Sequence, residues 1–426
     1  LAKQLENAGV RILGTSSEGI DLAEDRQRFG ELITQLNIPV PAWGTATSQE
    51  EAVAIAERVG YPVLVRPSYV LGGRAMEICY RPERIREYMQ TAAQVSPDHP
   101  VLIDHFLEKA FEFDVDAVAD GNDVVIGGIM QHIEEAGVHS GDSSCVLPPY
   151  NIERAQFETL VAYTRKLARG LNVVGPVNIQ FAMQRGIIYV LEVNPRASRT
   201  IPFVSKATGI PFAKIAARVM AGEPLASFNL RDMPMAMDHV SVKESVFPFS
   251  KFPRSSMFLG PETRSTGEVM VMDSMTGLAV VKARIASGNR LPSSGTIFAT
   301  LSDNDKRPRV AETLRGFAEL GFTILATDGT SRFLTEEGIP NTKILKIVEG
   351  QPNALDYIRN GEVRLVINTP SGEIAREDEK TMGAVSMEYK VPFITTASAA
   401  AAALGGLRSL DESGLQVRPL QEWYRP

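Results

Sequence analysis

The segment VNIQFAMQRGIIYVLEVNPRASRT, residues 177–200, sets three oxygen-bearing side chains and two guanidinium groups in an otherwise apolar run. Two alternating stretches flank the turn-like QRG at 184–186, the pattern of an antiparallel hairpin. Odd positions carry Val177, Ile179, Phe181, Met183, Ile187, Tyr189, Leu191 and Val193; even positions carry Asn178, Gln180, Glu192 and Asn194. Side chains alternate along a strand, so the polar set is expected to share one face. With pairing centred on Gly186, Gln180 lies across from Glu192 and Asn194 projects two residues further on. Converging oxygen ligands suit a hard cation such as Mg²⁺, which usually shares them with substrate phosphates. Arg196 and Arg199 add planar forks for phosphate or carboxylate oxygens. The competing reading is a solvated hairpin face with arginines on an exposed turn.

A second stretch with chemical potential is YPVLVRPSYVLGGRAM, residues 61–76. It places Arg66 at the end of a buried strand and follows it with Gly72 and Gly73, where backbone N–H groups can approach an anion closely. No GKS or GKT follows, so it is not a Walker A loop. A double glycine taken alone is more simply a hairpin.

The elements that must position these groups span 426 residues, a length that calls for two or three domains. A formal charge of −7 argues against nucleic-acid binding, and no apolar run reaches the ~20 residues of a membrane span. The opening LAKQLENAGV has no signal-peptide pattern and no initiator Met, so a cytoplasmic fragment of something longer is expected. Cys79 and Cys145 share no metal-type spacing, which favours a reducing compartment and gives zinc no support. Helical periodicity covers 21–37, 48–60, 151–170 and 210–222, with strands near 100–108, 112–120 and 123–134. The zone 245–297 is polar and proline-bearing, and GNRLPSSG at 288–295 reads as a linker. Beyond it strands and helices alternate, the mark of a parallel sheet with crossover helices, so 291–426 is expected to form a Rossmann-like α/β domain.

Arg66, Glu112, the segment HIEEAGVHSGDSS and the Gln180/Glu192/Asn194 set occur in the order found in the ATP-grasp superfamily, an α+β fold that closes over ATP. The stretches SYVLGGRAM, HIEEAGVHSGDSSCVLPP, LEVNPRASRTIPFVSKATG and STGEVM resemble the large subunit of carbamoyl phosphate synthetase, and the likeness runs through the whole chain. Of its two similar halves, the C-terminal one is the better match. The resemblance implies ATP-dependent phosphorylation of carbamate, serving pyrimidine and arginine biosynthesis. Arg66, His105, Leu107, Glu112, Gly137, Val138, His139 and Ser140 would line the nucleotide. Gln180, Glu192 and Asn194 would hold two Mg²⁺ or Mn²⁺ ions, with K⁺ as a further ion; Arg196 and Arg199 would hold carbamate or the transferring phosphoryl group. The 61–130 region would be the closing lid. Implied partners are a glutaminase small subunit, the N-terminal synthetase half and further copies of the assembly, with no nucleic acid and no membrane.

Residues 291–426 resemble the methylglyoxal synthase-like regulatory domain that ends this subunit. Thr300, Lys306, Thr327, Thr330, Lys346 and Asn368 match a pocket for a nucleotide monophosphate, and Glu134, Asp142 and Thr395 match a second, ornithine site. Pro370 and Phe393 depart from the threonine and tyrosine common in pyrimidine-regulated bacterial enzymes, leaving the effector open. The implied division is 1–20 as the end of a preceding region, 21–245 as the ATP-grasp domain, 246–290 as extension and linker, and 291–426 as the allosteric domain. Rival readings are a biotin-dependent carboxylase component, disfavoured by the short glycine loop, and a grasp-fold regulatory module without turnover.

Overall fold

The structure, a computed structural model, describes residues 2–67, 76–95, 100–196, 198–247, 259–260 and 262–424. Gly72, Gly73 and most of FPFSKFPRSS lie outside these residues.

A seven-stranded sheet forms the centre, in the order Gly267–Asp273, Val240–Val246, Cys145–Leu147, Val124–Glu135, Phe111–Asp120, Val174–Gln184, Ile187–Asn194, with every neighbour antiparallel. Its apolar face buries Phe113, Val115, Ile179 and Phe181 against Phe157, Leu160 and Leu167 of helix Arg154–Gly170. The opposite face is divided. At one end Val118, Met130 and Leu147 pack under helices Ile201–Thr208 and Phe212–Met220. The other end carries Glu112, Asp114, His132, Gln180 and Glu192 and is bordered by the loop that follows Glu135.

The hairpin closes with Gln184 opposite Ile187, yet farther out Gln180 pairs with Glu192 and Asn178 with Asn194. The two registers differ by one residue, and a β-bulge at Leu191 absorbs the difference. This corrects the expected faces. Ile188, Val190 and Val193 enter the core, whereas Tyr189 and Leu191 turn to the other side beside Ala182. Simple alternation fails beyond the bulge because one extra residue inverts the side-chain parity.

The lid is also narrower than expected. Strands Trp43–Ala46, Val101–His105, Val63–Pro67 and Glu77–Cys79 form a separate four-stranded sheet, backed by helices Gln49–Val59 and Pro82–Val95 around Val63, Val65, Ile85 and Ile103. The Ser48 hydroxyl accepts from the Glu51 N–H at the start of helix Gln49–Val59, and Gly60, at φ 91°, ends it. Residues 111–130 belong to the central sheet, so the separate sheet expected to act as the lid covers 43–105 rather than 61–130.

The C-terminal region is a parallel sheet in the order Thr342–Ile344, Phe322–Thr327, Gly295–Leu301, Val363–Thr369, Phe393–Ile394. The zone read as extension and linker is substantially folded. It supplies strand Gly267–Asp273 to the central sheet and helix Thr276–Ala286, which packs on helix Ala397–Ser413. A Cβ at Gly277 would stand 2.6 Å from the Gly406 nitrogen, so those two backbones meet without intervening side chains. Helix Glu373–Glu388 was not anticipated; its charged EIAREDEK opening hides the apolar periodicity of Met382 and Val385.

Candidate functional site

Strand Phe111–Asp120 supplies three carboxylates to one face, Glu112, Asp114 and Asp116, all buried. Burial pushes Glu112 up to about 7, against the opposing pull of His132. Asp114 also suffers burial, yet its bond to His132 Nε2 at 3.0 Å carries its pKa below the ordinary range. Burial would lower His132, but Cys145, Glu112 and Asp114 outweigh it and the net shift is well upward. The buried Asp114–His132 pair therefore underlies the polar floor. Asp116 is pushed up to about 7 by burial and accepts from Asn178 Nδ2 at 3.0 Å. Asp114, Asp116 and His132 were not singled out from the sequence, although the spacing of Glu112, Asp114 and Asp116 at every second residue was a visible signal.

Above this floor, Gln180 Nε2 donates to Ser140 Oγ at 3.0 Å and Arg196 donates to Asn194 Oδ1 at 3.0 Å. Glu192 and Arg199 have no ion-pair partner among the described residues, and Glu192 is exposed on the open face. An uncompensated carboxylate beside an amide oxygen in cross-strand register fits a Mg²⁺ ion. Among the described residues, ligating atoms of Asp114, His132 and Cys145 also lie within 4.8 Å of one another, but the Asp114–His132 bond already uses two of them.

The bordering loop is held from several directions. The buried Lys243 ammonium donates to the carbonyls of Ser143 at 2.8 Å and Ser140 at 3.2 Å. Ser245 and Ser265 hydroxyls both donate to the Gly141 carbonyl at 2.8 Å. The backbone N–H groups of Arg264 and Ser265 donate to Asp142 at 2.8 Å. His139 Nδ1 accepts from the Gly141 N–H at 2.9 Å, and burial followed by the Arg199 charge lowers its pKa. Gly137 has φ 103°, and a Cβ there would lie 2.8 Å from the Phe106 ring. Val138, His139 and Ser140 are thus presented toward the polar face by the loop. Lys243 gave no sequence signal beyond a charge within an alternating strand.

Leu107 is buried with Ala110, Ala136 and Ala182, and Tyr189 and Leu191 pack on this group to give a small apolar wall next to the polar face. Arg66 Nε lies 3.3 Å from Asp104, which also binds Arg26. The His105 ring meets the Gly60 carbonyl at 2.8 Å and so braces the lid rather than opening onto the polar face.

In the C-terminal region Thr300 and Thr327 hydroxyls meet at 3.1 Å, and Thr330 Oγ1 accepts from the Leu301 N–H at 2.9 Å. Thr327 precedes helix Asp328–Glu336 at the N-cap position without a side-chain capping bond, and a Cβ at Gly329 would lie 3.0 Å from Lys306 Nζ. Lys306 is paired with Asp303 at 2.5 Å, while Lys346 is exposed. Buried Asn368 has a side-chain NH₂ without a hydrogen-bond partner among the described residues. Glu134 accepts from the Ser144 N–H at 2.7 Å, and Ser144 Oγ donates to Glu244 at 2.6 Å. Both carboxylates face Arg284 between the central sheet and the C-terminal region, near Thr395 on the segment leading to Thr396. Asp142 is taken up by its backbone donors.

A seven-stranded antiparallel sheet beside a separate four-stranded one gives a grasp-type fold, and solved structures share it. The chain aligns with the biotin carboxylase domain of Hydrogenobacter thermophilus 2-oxoglutarate carboxylase at TM-score 0.55 and 21% identity, over 67% of this chain and 70% of that one. Biotin carboxylase from Campylobacter jejuni aligns at TM-score 0.54 and 14% identity, over 67% and 70%. Residues 25–228 match the family described as carbamoyl-phosphate synthase L chain, ATP binding domain, and residues 309–395 match the MGS-like domain. The chain is 48% identical over its full length to the carbamoyl phosphate synthase large chain, C-terminal section, of Aquifex aeolicus, covering 82% of that protein. It therefore belongs to the carbamoyl phosphate synthase large-chain family. It is 54% identical to the large chain of Archaeoglobus fulgidus, of whose length it spans 39%. No helix among the described residues is long and apolar enough to cross a membrane.

Proposed function

We propose that this chain phosphorylates carbamate with ATP to give carbamoyl phosphate, as the C-terminal section of a glutamine-dependent synthase. The observation that carries the proposal is the pairing of Gln180 with Glu192 on an open polar face, beside Arg199, which has no ion-pair partner among the described residues, and the apolar wall at Leu107. Leu107 would border the adenine, and Glu112 and the loop 137–140 the sugar and phosphates. Arg66 would turn from Asp104 to the phosphates as the lid closes. Gln180, Glu192 and Asn194 would hold magnesium, which would supply positive charge against the developing negative charge of the phosphates; manganese would suit the same oxygen set.

Arg196 and Arg199 orient the carbamate oxygen toward the γ-phosphorus and stabilise the equatorial oxygens. A carbamate O–P bond forms as the P–O bond to ADP breaks, and no covalent enzyme group is needed. Closure of residues 43–105 excludes water, in which carbamate decomposes. The domain division proposed is a grasp domain over 21–245, an extension over 246–290 and an effector domain over 291–426. Lys306, Thr327, Thr330, Lys346, Asn368 and Thr300 would take a nucleotide monophosphate at the helix Asp328–Glu336 N-terminus, where the unpartnered Asn368 amide awaits an acceptor. Glu134, Asp142 and Thr395 would form the second, ornithine site, with Asp142 held there by backbone N–H donors. A glutaminase subunit and the N-terminal half would supply ammonia and carbamate.

The test is the reverse partial reaction, carbamoyl phosphate plus Mg·ADP, with ATP as the readout. Formation of ATP by the purified chain is expected; its absence, with Mg·ADP shown to bind, would sink the assignment of chemistry.

A further inference from the structure

The turn between lid and central sheet, Phe106–Ala110, is gripped by both loops of the C-terminal pocket. Lys109 sits at φ 61°, a left-handed conformation that side chains adopt at some cost. Its ammonium donates to Ser302 Oγ at 2.5 Å and Asp305 Oδ2 at 3.0 Å. Glu108 Oε1 accepts from the Gly372 N–H at 3.3 Å and from the Tyr80 hydroxyl at 2.9 Å. The two pocket loops are joined to each other, because the Ser302 N–H donates to the Thr369 carbonyl at 3.0 Å. Arg376 completes the junction: its Nε donates to Tyr80 Oη at 3.2 Å, and its guanidinium lies 3.7 Å from Glu135 and 4.0 Å from Glu108. Arg81 of the lid pairs with Glu373 at 3.2 Å. Lid, hinge, central sheet and pocket loops thus meet in one polar cluster.

On its other side the same turn forms the apolar wall, since Leu107 and Ala110 pack with Ala136 and Ala182. We propose that Glu108 and Lys109 are positioning residues that couple the C-terminal pocket to nucleotide affinity in the cleft. The inference rests on the nucleotide reading of that cleft given above. Lys306 is paired with Asp303, two residues from Asp305. A phosphate-bearing ligand that takes Lys306 frees Asp303, resets the 302–305 loop and shifts the Lys109 anchor. Leu107 moves with it. Linkage makes the effect reciprocal: nucleotide in the cleft must alter the pocket loops equally in free energy. That reciprocity permits a test that requires no knowledge of the effector.

The experiment uses the full chain, Lys109→Ala, Asp305→Ala and the double variant, with Mg·ADP as probe. Calorimetry gives Mg·ADP affinity, hydrogen exchange follows amides 302–306 and 369–376, and thermal midpoints check that each variant folds. In the unmodified chain Mg·ADP is expected to change exchange in both loops. Lys109→Ala should lose most of that change and shift Mg·ADP affinity several-fold, and the double variant should add nothing further. The proposal is overturned if bound Mg·ADP leaves both loops unaltered, or if the response persists in the double variant. Failure of Mg·ADP to bind at millimolar concentration removes the nucleotide reading of the cleft, and the coupling with it.

Discussion

Glu192 stands on the open end of a polar face with no ion-pair partner among the described residues, while Glu112 and Asp114 beneath are buried around His132. The two kinds of carboxylate should respond differently to substitution. Glu192→Ala removes a charge from an exposed position, so a stability change within about 0.5 kcal/mol is expected alongside a loss of the reverse reaction of at least ~100-fold. Thermal melting and ATP formation measure the two. Activity within a few-fold of the starting chain would take Glu192 out of the metal site. The exposed set was legible because period and polarity coincide within one segment. Asp114 and His132 were not read because their partnership joins residues 18 apart through a sheet register.

The bulge at Leu191 absorbs the one residue by which the turn register differs from the register of Gln180 with Glu192. Removing that residue would continue the register set at the turn, in which Gln184 faces Ile187, and would leave Glu192 opposite Gln180 and Val193 opposite Ile179. Deletion of Leu191 should therefore leave the reverse reaction within several-fold of the starting chain and lower the thermal midpoint only through loss of the Leu191 side chain from the wall at Leu107. Loss of the reaction would mean that the bulge itself is needed to place Glu192. Helix Glu373–Glu388 offers a second test at this scale. Burial pushes both Glu135 and Glu379 up to about 7, against the favourable charge of Arg376. Unfolded glutamates titrate near ~4.3, so between that value and about 7 the folded chain holds more protons. Stability from these groups consequently falls as pH rises through this window and levels off above it. Glu379→Gln should make the decline of the thermal midpoint between pH 5 and pH 8 shallower; an unchanged slope would show that Glu379 does not titrate there.

Across the whole molecule, the supposed linker at 288–295 is crossed by a continuous core. Val280, Val281 and Ala283 on its near side pack with Leu291, Ile297 and Leu407, and Gly277 touches the backbone of Gly405 and Gly406. A chain cleaved between Ser293 and Ser294 is therefore expected to elute as one complex in gel filtration. Gly406→Leu, which places atoms where Gly277 O would lie 2.3 Å from a Cβ, should let the cleaved pieces separate. Separation without that substitution would refute a shared core.

The sequence by itself determined the two fold types and the exposed oxygen and guanidinium groups, because strand and helix periods are local and side chains at the end of a strand keep their order. It also placed the strand-to-helix junction of the C-terminal sheet at Thr327 and Asp328. Only the tertiary structure decided the bulge at Leu191, the buried His132 cluster, the Lys243 clamp and the junction at Lys109. Each depends on contacts between segments far apart in the chain. Lys109 and Asp305 are separated by 196 residues, and neither local period nor composition carries information about which distant loop will arrive within 3.0 Å.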